Sequence, residues 1–192
     1  RDLHSFPTRR SSDLVGDAGH TKQSGKAPGA SGKKNGGFNE SVHNRTVKHY
    51  LLKYLREAGH TVYDCTAEGY SANNNLYRIV EKCNRHKVDL DISLHFNAYN
   101  GQAHGVETEI YSEGSRAKRY AKAVTDRLAR KAGFTNRGVK AMPYLYVLRH
   151  THSPGMLIEI CFCDSKKDYS LYKKFGGSKA IAKCIADAIK GV

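Results

Sequence analysis

The sequence predicts an α/β fold, a layered domain built on a mostly parallel β-sheet. Segments with strand-like patterning alternate along the chain with segments of helical periodicity, which is typical of parallel sheets covered by helices. The 192 residues, 39% of them hydrophobic, are enough for one compact domain with its own core. Neither an internal repeat nor a linker to a second domain is visible, so we predict a single domain.

The first 14 residues differ from the rest of the chain. The segment "RDLHSFPTRRSSDL" has neither a helical nor a strand period, and it joins abruptly to "VGDAGH". We interpret residues 1–14 as a non-native or disordered leader, such as read-through of non-coding or adapter sequence, and residues 15–192 as the domain. On this interpretation, a first strand expected before residue 16 is damaged or only partly present.

The first half of the domain begins with a strand that ends before His20 and a polar, glycine-rich loop over residues 21–40. A helix is predicted from about Glu40, because apolar residues follow at helical spacing and Gly59 provides a stop. These apolar residues are Val47, Leu51, Leu55 and Ala58. A short strand, "TVYDC", comes next, and a second helix is predicted over residues 72–86.

The second half of the domain continues the alternation. Its strand candidates are, in order, "DLDISLHFNA", "GVETEIYS", "YLYVLR" and "MLIEICF". Helices are predicted over residues 115–132 and 178–190, with a short helical piece near "SKKDYSLYKKF". We therefore expect helices to connect many of the strands, as a parallel sheet requires.

The charge of the chain predicts an affinity for polyanions. Its formal net charge is +14, from 32 lysines and arginines against 18 aspartates and glutamates. Such a chain attracts nucleic acid, anionic lipid surfaces or wall polymers such as teichoic acids at neutral pH. Charge alone does not choose among these partners.

The cysteines and the hydropathy indicate the environment of the chain. The five cysteines include no C-x-x-C pair, and an odd number cannot be fully paired within one chain, so we expect reduced, buried thiols. No apolar run approaches the length of a membrane span, and the amino terminus lacks the apolar core of a secretory signal. If the protein works outside a cell, we expect another route to export it.

Three side chains able to bind metal lie at or near the ends of predicted strands and helices. His20 follows the first strand, Glu40 opens the first helix, and His95 lies on the polar side of "DLDISLHFNA". Ligands of such sheets bind outside the carboxyl ends of the strands, so these groups can meet at one edge. Two imidazoles and a carboxylate leave a fourth zinc position open to water, which is the arrangement of catalytic zinc sites. A metal site nearby would give Glu159, a carboxylate inside the apolar run "MLIEICF", a functional role.

Each of these residues also has an ordinary structural interpretation. A single histidine is more often a surface group or a hydrogen-bonded core group than a ligand. A carboxylate in the first helical turn, such as Glu40, is favoured by the helix dipole and the free backbone N–H groups. Glu159 can equally pair with a lysine or arginine of this basic chain. The constellation, rather than any one member of it, indicates a metal site.

A series of short motifs is more specific than any one of them. The motifs "DAGH", "NE", "DISLHFNA", "GVETEIY", "NRGVK", "LYVLR" and "LIEICF" occur in this order between Val15 and the carboxyl terminus. In this order and spacing they resemble the zinc-dependent N-acetylmuramoyl-L-alanine amidases of the family-3 type, including the catalytic domains of phage endolysins. The resemblance implies a three-layer α/β domain, in which a twisted, largely parallel sheet has helices on both faces.

The resemblance also implies roles for particular residues. The implied zinc ligands are His20, Glu40 and His95. Glu159 is implied as the catalytic carboxylate, and Asn97 falls where the family keeps an asparagine beside the metal site. Arg137 and Lys140 of "NRGVK" are implied to line the substrate groove.

The implied reaction is hydrolysis of the amide bond between N-acetylmuramic acid and L-alanine in peptidoglycan. Glu159 would take a proton from a water that zinc has activated and pass it to the leaving amine. Peptidoglycan is then the substrate, and the positive charge adds anionic wall polymers as partners. We expect the protein to act at the cell wall, outside the membrane, as a lysin made in the host cytoplasm and released during lysis.

Three other classes of protein fit parts of the sequence. A zinc peptidase acting on the stem peptide uses the same metal chemistry. A basic nucleic-acid-binding module explains the charge, although the sequence has no recognition-helix, RNP-type or paired cysteine-histidine finger motif. A cysteine hydrolase requires Cys161 or Cys163 as nucleophile, but both lie in an apolar strand, where core packing is the expected role.

Overall fold

A computed structural model of the protein describes residues 13–20, 29–33 and 36–192. The first six elements are β1 (Asp13–Ala18), α1 (Glu40–Glu57), β2 (Thr61–Asp64), α2 (Ala72–Cys83), β3 (Leu90–Asn97) and β4 (Val106–Ile110). The remaining six are α3 (Lys118–Ala132), β5 (Asn136–Ala141), α4 (Tyr146–His150), β6 (Gly155–Phe162), α5 (Lys166–Phe175) and α6 (Gly177–Lys190).

The six strands form one sheet in the order β2-β1-β3-β6-β4-β5. Four of the five strand pairings are parallel, and only β4 with β6 is antiparallel. The carboxyl ends of β1, β3 and β6 therefore lie side by side at one edge. The predicted α/β class, with a mostly parallel sheet between layers of helices, is confirmed.

Hydrophobic cores on the two faces of the sheet separate the helices into two layers. The larger core joins one face of the sheet to α1, α3, α5 and α6. A smaller core joins the other face to α2 and α4. Along β3, the residues that belong to the larger core are Leu90, Ile92, Leu94 and Phe96. Because strand side chains alternate, Asp91, Ser93 and His95 are directed to the other face.

Most predicted elements are present, with small differences at their ends. The helix predicted from about Glu40 begins at that residue, while α2 ends at Cys83 rather than residue 86. The helix predicted from Ser115 begins at Lys118. Helix ends are the least specified part of such patterns, because the last turns have few packing contacts.

Two predictions about the region before β6 were wrong. "YLYVLR" was predicted as a strand, but residues 146–150 form the short helix α4, in which the adjacent Val147 and Leu148 are both buried in the smaller core. "NRGVK" was not assigned to a strand, but it lies within β5. An edge strand pairs on one side only, and the side chains of β5 are exposed or half-buried, so no apolar alternation marks it.

The first strand begins two residues before the boundary that we placed at residue 15. Asp13 is the first residue of β1, and its backbone N–H donates to Oδ2 of Asp89. Leu14 is completely buried in the larger core. Both residues belong to the segment interpreted as a leader, and the structure includes them in the sheet. The interpretation of residues 1–12 lies outside the described residues.

All five cysteines are free and buried, as expected from their number and spacing. Three of them, Cys161, Cys163 and Cys184, are part of the larger core. Within the part of the chain that the structure describes, no helix combines the length and the apolarity of a membrane span.

Candidate metal centre and active site

Three side chains from separate parts of the chain form a cluster at the edge where β1 and β3 end. His20 follows β1, Glu40 is the first residue of α1, and His95 lies near the end of β3. Nε2 of His20 is 3.2 Å from Oε2 of Glu40, and Nδ1 of His95 is 3.0 Å from Oε1. One ligand atom from each residue lies within 4.8 Å of the other two. We call this group the His-Glu-His cluster.

Two glycines leave the space that the cluster occupies. A Cβ atom on Gly19 would lie 1.9 Å from the ring of His95, and one on Gly29 would lie 2.5 Å from Oε2 of Glu40. His20 itself has φ of +150°, which is unusual for a residue with a side chain. The guanidinium group of Arg45 donates to the carbonyl oxygen of His20 over 2.8 Å and holds this backbone in place.

Glu40 is held as a carboxylate by several donors. Its Oε2 accepts from the backbone N–H of Ala30, and its Oε1 accepts from that of Phe96. Burial alone would raise the pKa of Glu40, but its contacts with His20 and His95 outweigh burial and hold the pKa below its usual range. Burial would likewise lower the pKa of His95, but Glu40 raises it to about 9. The backbone donors near the start of the helix and the contacts with both imidazoles therefore both favour the ionised form of Glu40.

The donor set of the cluster fits a zinc ion. Two imidazole nitrogens and a carboxylate oxygen are ligands that zinc accepts, and the vertices of a tetrahedral zinc site are roughly 3.3 Å apart. One ligand atom from each of the three residues lies within 4.8 Å of the other two, which is near enough for all three to bind one ion. Hydrogen bonds between the same groups hold them in this arrangement without the ion. The residues present thus suit the metal that the sequence implies.

Glu159 lies next to the cluster. It is on β6, where it is the register partner of His95 on β3. Its Oε2 is buried and has no hydrogen-bond partner among the described residues. Within the same residues, no lysine or arginine forms an ion pair with Glu159. Burial raises the pKa of Glu159 to about 8; the carboxylates of Glu40, Glu109 and Glu107 add to this effect, while His95 opposes it.

The cluster and Glu159 open into one cleft of about 400 Å³. Its polar lining residues are His20, His95, Asn97, Glu107, Glu109 and Glu159. The others, which are mostly apolar or aromatic, are Leu76, Met142, Tyr144, Leu145, Tyr146, Val147 and Leu157. The mixture of an apolar lining with a few polar groups is typical of a substrate site.

The three residues predicted to bind substrate meet at Glu107. Nδ2 of Asn97 donates to Oε1 of Glu107 over 2.9 Å, and Asn97 lines the cleft. Nε of Arg137 is 2.7 Å from Oε2 of Glu107, and Lys140 pairs with the same oxygen. Burial alone would raise the pKa of Glu107, but these two cations hold it below its usual range. Neither Arg137 nor Lys140 is among the residues that line the cleft, and both contact a residue that does, Glu107.

The sequence interpretation missed part of this site. Neither Glu107 nor Glu109 was singled out, although both alternate in "GVETEIYS" with the buried residues Val106, Thr108 and Ile110. That alternation was the available signal, because it directs two carboxylates to one face of a buried strand. The contribution of residues 142–147 was hidden by the wrong strand prediction.

A cysteine nucleophile does not fit the site. Burial raises the pKa of Cys163 to about 12 and that of Cys161 well above the usual range of a thiol. Both residues pack in the larger core, and neither lines the cleft. A thiolate, which is the reactive form, is therefore disfavoured at both positions.

Residues 15–191 match the family described as N-acetylmuramoyl-L-alanine amidase. An uncharacterized protein of Clostridium perfringens strain 13 is 40% identical over 168 residues, which are 85% of this chain and 48% of the relative. The endolysin of Bacillus phage SPP1 is 29% identical over 171 residues, which are 84% of this chain and 62% of the relative.

Solved structures show the same fold. The catalytic domain of the CD27L endolysin targeting Clostridia difficile superposes with a TM-score of 0.83 and 32% sequence identity, over 94% of this chain and 97% of that domain. The chain spans about half the length of its Clostridium perfringens relatives, 48% of one and 45% of the other.

Proposed function

Because the chain belongs to the N-acetylmuramoyl-L-alanine amidase family, we propose that it hydrolyses the amide bond between N-acetylmuramic acid and L-alanine in peptidoglycan. The observation that carries this proposal is the position of Glu159 beside the His-Glu-His cluster, with no lysine or arginine partner among the described residues. An amide hydrolase needs a proton acceptor next to the reacting carbonyl, and the cleft offers one there.

The cluster of His20, Glu40 and His95 is proposed to hold one zinc ion. Its donor set and spacing support this assignment. A bound zinc ion would polarise the scissile carbonyl and make a water molecule more acidic. The protein's own contribution is the fixed orientation of the ligands by Gly19, Gly29 and the Arg45 contact to His20.

Glu159 is proposed as the general base and then the general acid. Its carboxylate takes a proton from the attacking water as the new carbon–oxygen bond forms. The same proton passes to the leaving nitrogen as the carbon–nitrogen bond breaks, which releases a carboxylic acid on the sugar and the free amine of L-alanine. Burial brings the pKa of Glu159 toward neutral pH, which suits a group that must both accept and release a proton.

We propose that the protein works at the cell wall outside the membrane, in lysis, and that anionic wall polymers help to concentrate it there. The net charge of +14 supports this attraction, because a surface of one sign raises the local concentration of a polyanion. Co-sedimentation with purified walls at low and high salt tests it. Binding that does not weaken as salt is added would contradict an electrostatic partner.

The products of digestion test the reaction. The zinc-loaded protein is incubated with purified peptidoglycan, and the new amino termini are identified. Free amino termini on L-alanine are expected, whereas termini elsewhere in the stem peptide would show a zinc peptidase instead.

The metal content of the purified protein tests the cluster. About one zinc per chain is expected, and Glu40→Gln should lower it, because the substitution removes the only anionic ligand of the cluster. Glu57→Gln is a matched control, since Glu57 is an exposed residue at the other end of the same helix. Equal zinc in all three proteins would exclude Glu40 as a ligand.

A further inference from the structure

Glu109 is a second carboxylate in the cleft, and one of its two oxygens has no hydrogen-bond partner among the described residues. It lies on β4 two residues after Glu107, is only 5% exposed, and lines the cleft. Its Oε2 is buried and has no hydrogen-bond partner within residues 13–20, 29–33 and 36–192. A buried polar atom without a partner is expensive, so such a group in a cleft indicates a partner that arrives with a ligand.

The nearby cations are already bound to another group. The register partner of Glu109 on β5 is Lys140, but Lys140 pairs with Oε2 of Glu107, as does Arg137. On the β6 side its register partner is Leu157, which is apolar. Burial therefore raises the pKa of Glu109 to about 7, and the charge of Glu107 adds to this effect. A group that brings N–H donors would stabilise the carboxylate, whereas another carboxylate would face repulsion.

The register places Glu109 at a definite distance from Glu159, the proposed general base. Glu107 is directly opposite Glu159, and Glu109 is opposite Leu157, two residues earlier on β6. Glu109 is thus the diagonal neighbour of Glu159, and such neighbours are roughly 7–8 Å apart. Since an extended chain advances about 3.3 Å per residue, this is the distance of about two residues from the scissile bond.

Building on the proposed amidase function, we propose that Glu109 forms a subsite for an N–H-bearing group, a carboxamide or an ammonium, on the peptide arm about two residues from the scissile bond. A peptide arm that has a carboxylate at that position is expected to be cleaved with a lower kcat/KM. The basis is general: a site with a buried hydrogen-bonding group discriminates strongly against a substrate that leaves the group unpaired.

Two matched muramoyl peptides test the subsite. They are identical except that the second residue of the peptide arm carries either a carboxamide or a carboxylate. For the unmodified protein, we expect kcat/KM to be about tenfold higher with the carboxamide, which corresponds to roughly 1.4 kcal/mol. Glu109→Gln should reduce this ratio to near one and raise the activity on the carboxylate substrate, because the Gln amide can donate to a carboxylate. A gain of activity cannot result from misfolding.

Glu113→Gln is the matched control, since Glu113 is an exposed carboxylate just beyond β4. It should keep the preference of the unmodified protein. Equal rates on both substrates before mutation, or an unchanged ratio in Glu109→Gln, would overturn the subsite while leaving the amidase function in place. If neither peptide is cleaved at the muramoyl-alanine bond, the proposed function fails and the subsite fails with it.

Discussion

Glu107 and Glu159 are directly opposite each other on the antiparallel strands β4 and β6, but among the described residues a lysine and an arginine pair with Glu107 and none pairs with Glu159. Arg137 and Lys140 both pair with Glu107, and their charges hold its pKa below the usual range. For Glu159, burial and the surrounding carboxylates raise the pKa to about 8. Two carboxylates in one register pair therefore have different properties, and the one beside the His-Glu-His cluster is the one suited to proton transfer.

Replacing Glu159 with Gln should remove activity without removing the fold. The turnover number should fall by at least 10²–10⁴-fold, which is the usual contribution of a general base. Zinc content and wall binding should be unchanged. In the zinc-free protein, the thermal midpoint at neutral pH should not fall, because burial raises the pKa of the folded carboxyl from 4.5 to about 8. A raised pKa means that the carboxyl contributes to the free energy of unfolding below pH 4.5 and that this contribution is lost as the pH rises through 8. Gln does not ionise, so it avoids that loss.

Glu107→Gln is the comparison for this experiment. It removes the charge that pairs with Arg137 and Lys140. Both cations are partly exposed, so we expect a loss of about 1–3 kcal/mol in the free energy of unfolding.

A zinc-loaded, folded Glu159→Gln protein that hydrolyses peptidoglycan at a near-normal rate would contradict the proposed mechanism.

Gly19→Ala should disrupt the His-Glu-His cluster. The added Cβ would lie 1.9 Å from the ring of His95, which is itself buried and cannot remain in place. We expect weaker zinc binding and a loss of roughly 10²-fold or more in activity, the scale that a displacement of about 1 Å produces in an active site. Gly114→Ala is the control, since no atom lies within 4 Å of a Cβ at Gly114. Equal zinc affinity in the two variants would show that the approach of Gly19 to His95 is unimportant.

Asp91→Asn should stabilise the protein in a pH-dependent way. Asp91 is buried on β3 with an unpaired Oδ1, and burial together with the charge of Asp17 raises its pKa from 3.8 to about 7. The stability that protonated Asp91 contributes to the folded state is fully present below pH 3.8 and is lost as the pH rises through about 7. Asn does not ionise, so its advantage over Asp should grow by about 2–3 kcal/mol between pH 5 and pH 7, at 1.36 kcal/mol per unit.

Thermal or denaturant unfolding of both proteins at each pH measures this difference. Comparing the two proteins at the same pH cancels effects of pH on the rest of the molecule. An advantage of Asn that is the same at pH 5 and pH 7 would show that Asp91 does not have a raised pKa.

Two deletions test where the domain begins. We propose that removal of residues 1–12 leaves the thermal midpoint unchanged, because terminal segments without packing contribute little. Removal of residues 1–14 should lower stability by about 2–4 kcal/mol, because it also removes the buried side chain of Leu14. A large loss from the shorter deletion would show instead that residues 1–12 pack against the domain.

Much of the fold could be predicted from the sequence because it depends on local patterns. The alternation of Leu90, Ile92 and Leu94 with polar residues predicted both β3 and the side on which His95 lies. The apolar spacing after Glu40 predicted α1. The order of motifs also brought together, in one hypothesis, the three residues of the cluster and Glu159. The apolar alternation and the helical spacing each lie within a short segment of chain, whereas the order of motifs spans Val15 to the carboxyl terminus and indicated the site through the family resemblance.

Only the tertiary structure decided how the charges in the cleft are paired. The antiparallel insertion of β4 between β6 and β5 places Glu107 beside Glu159 on one strand and brings it to Arg137 and Lys140 from the other. The same arrangement leaves Oε2 of Glu109 without a hydrogen-bond partner among the described residues. Strand order and register arise from contacts between distant segments, and a shift of one residue would turn these carboxylates to the opposite face. The sequence by itself therefore determined which polar groups the domain carries, while the packing of the sheet determined which of them remain free to bind a substrate.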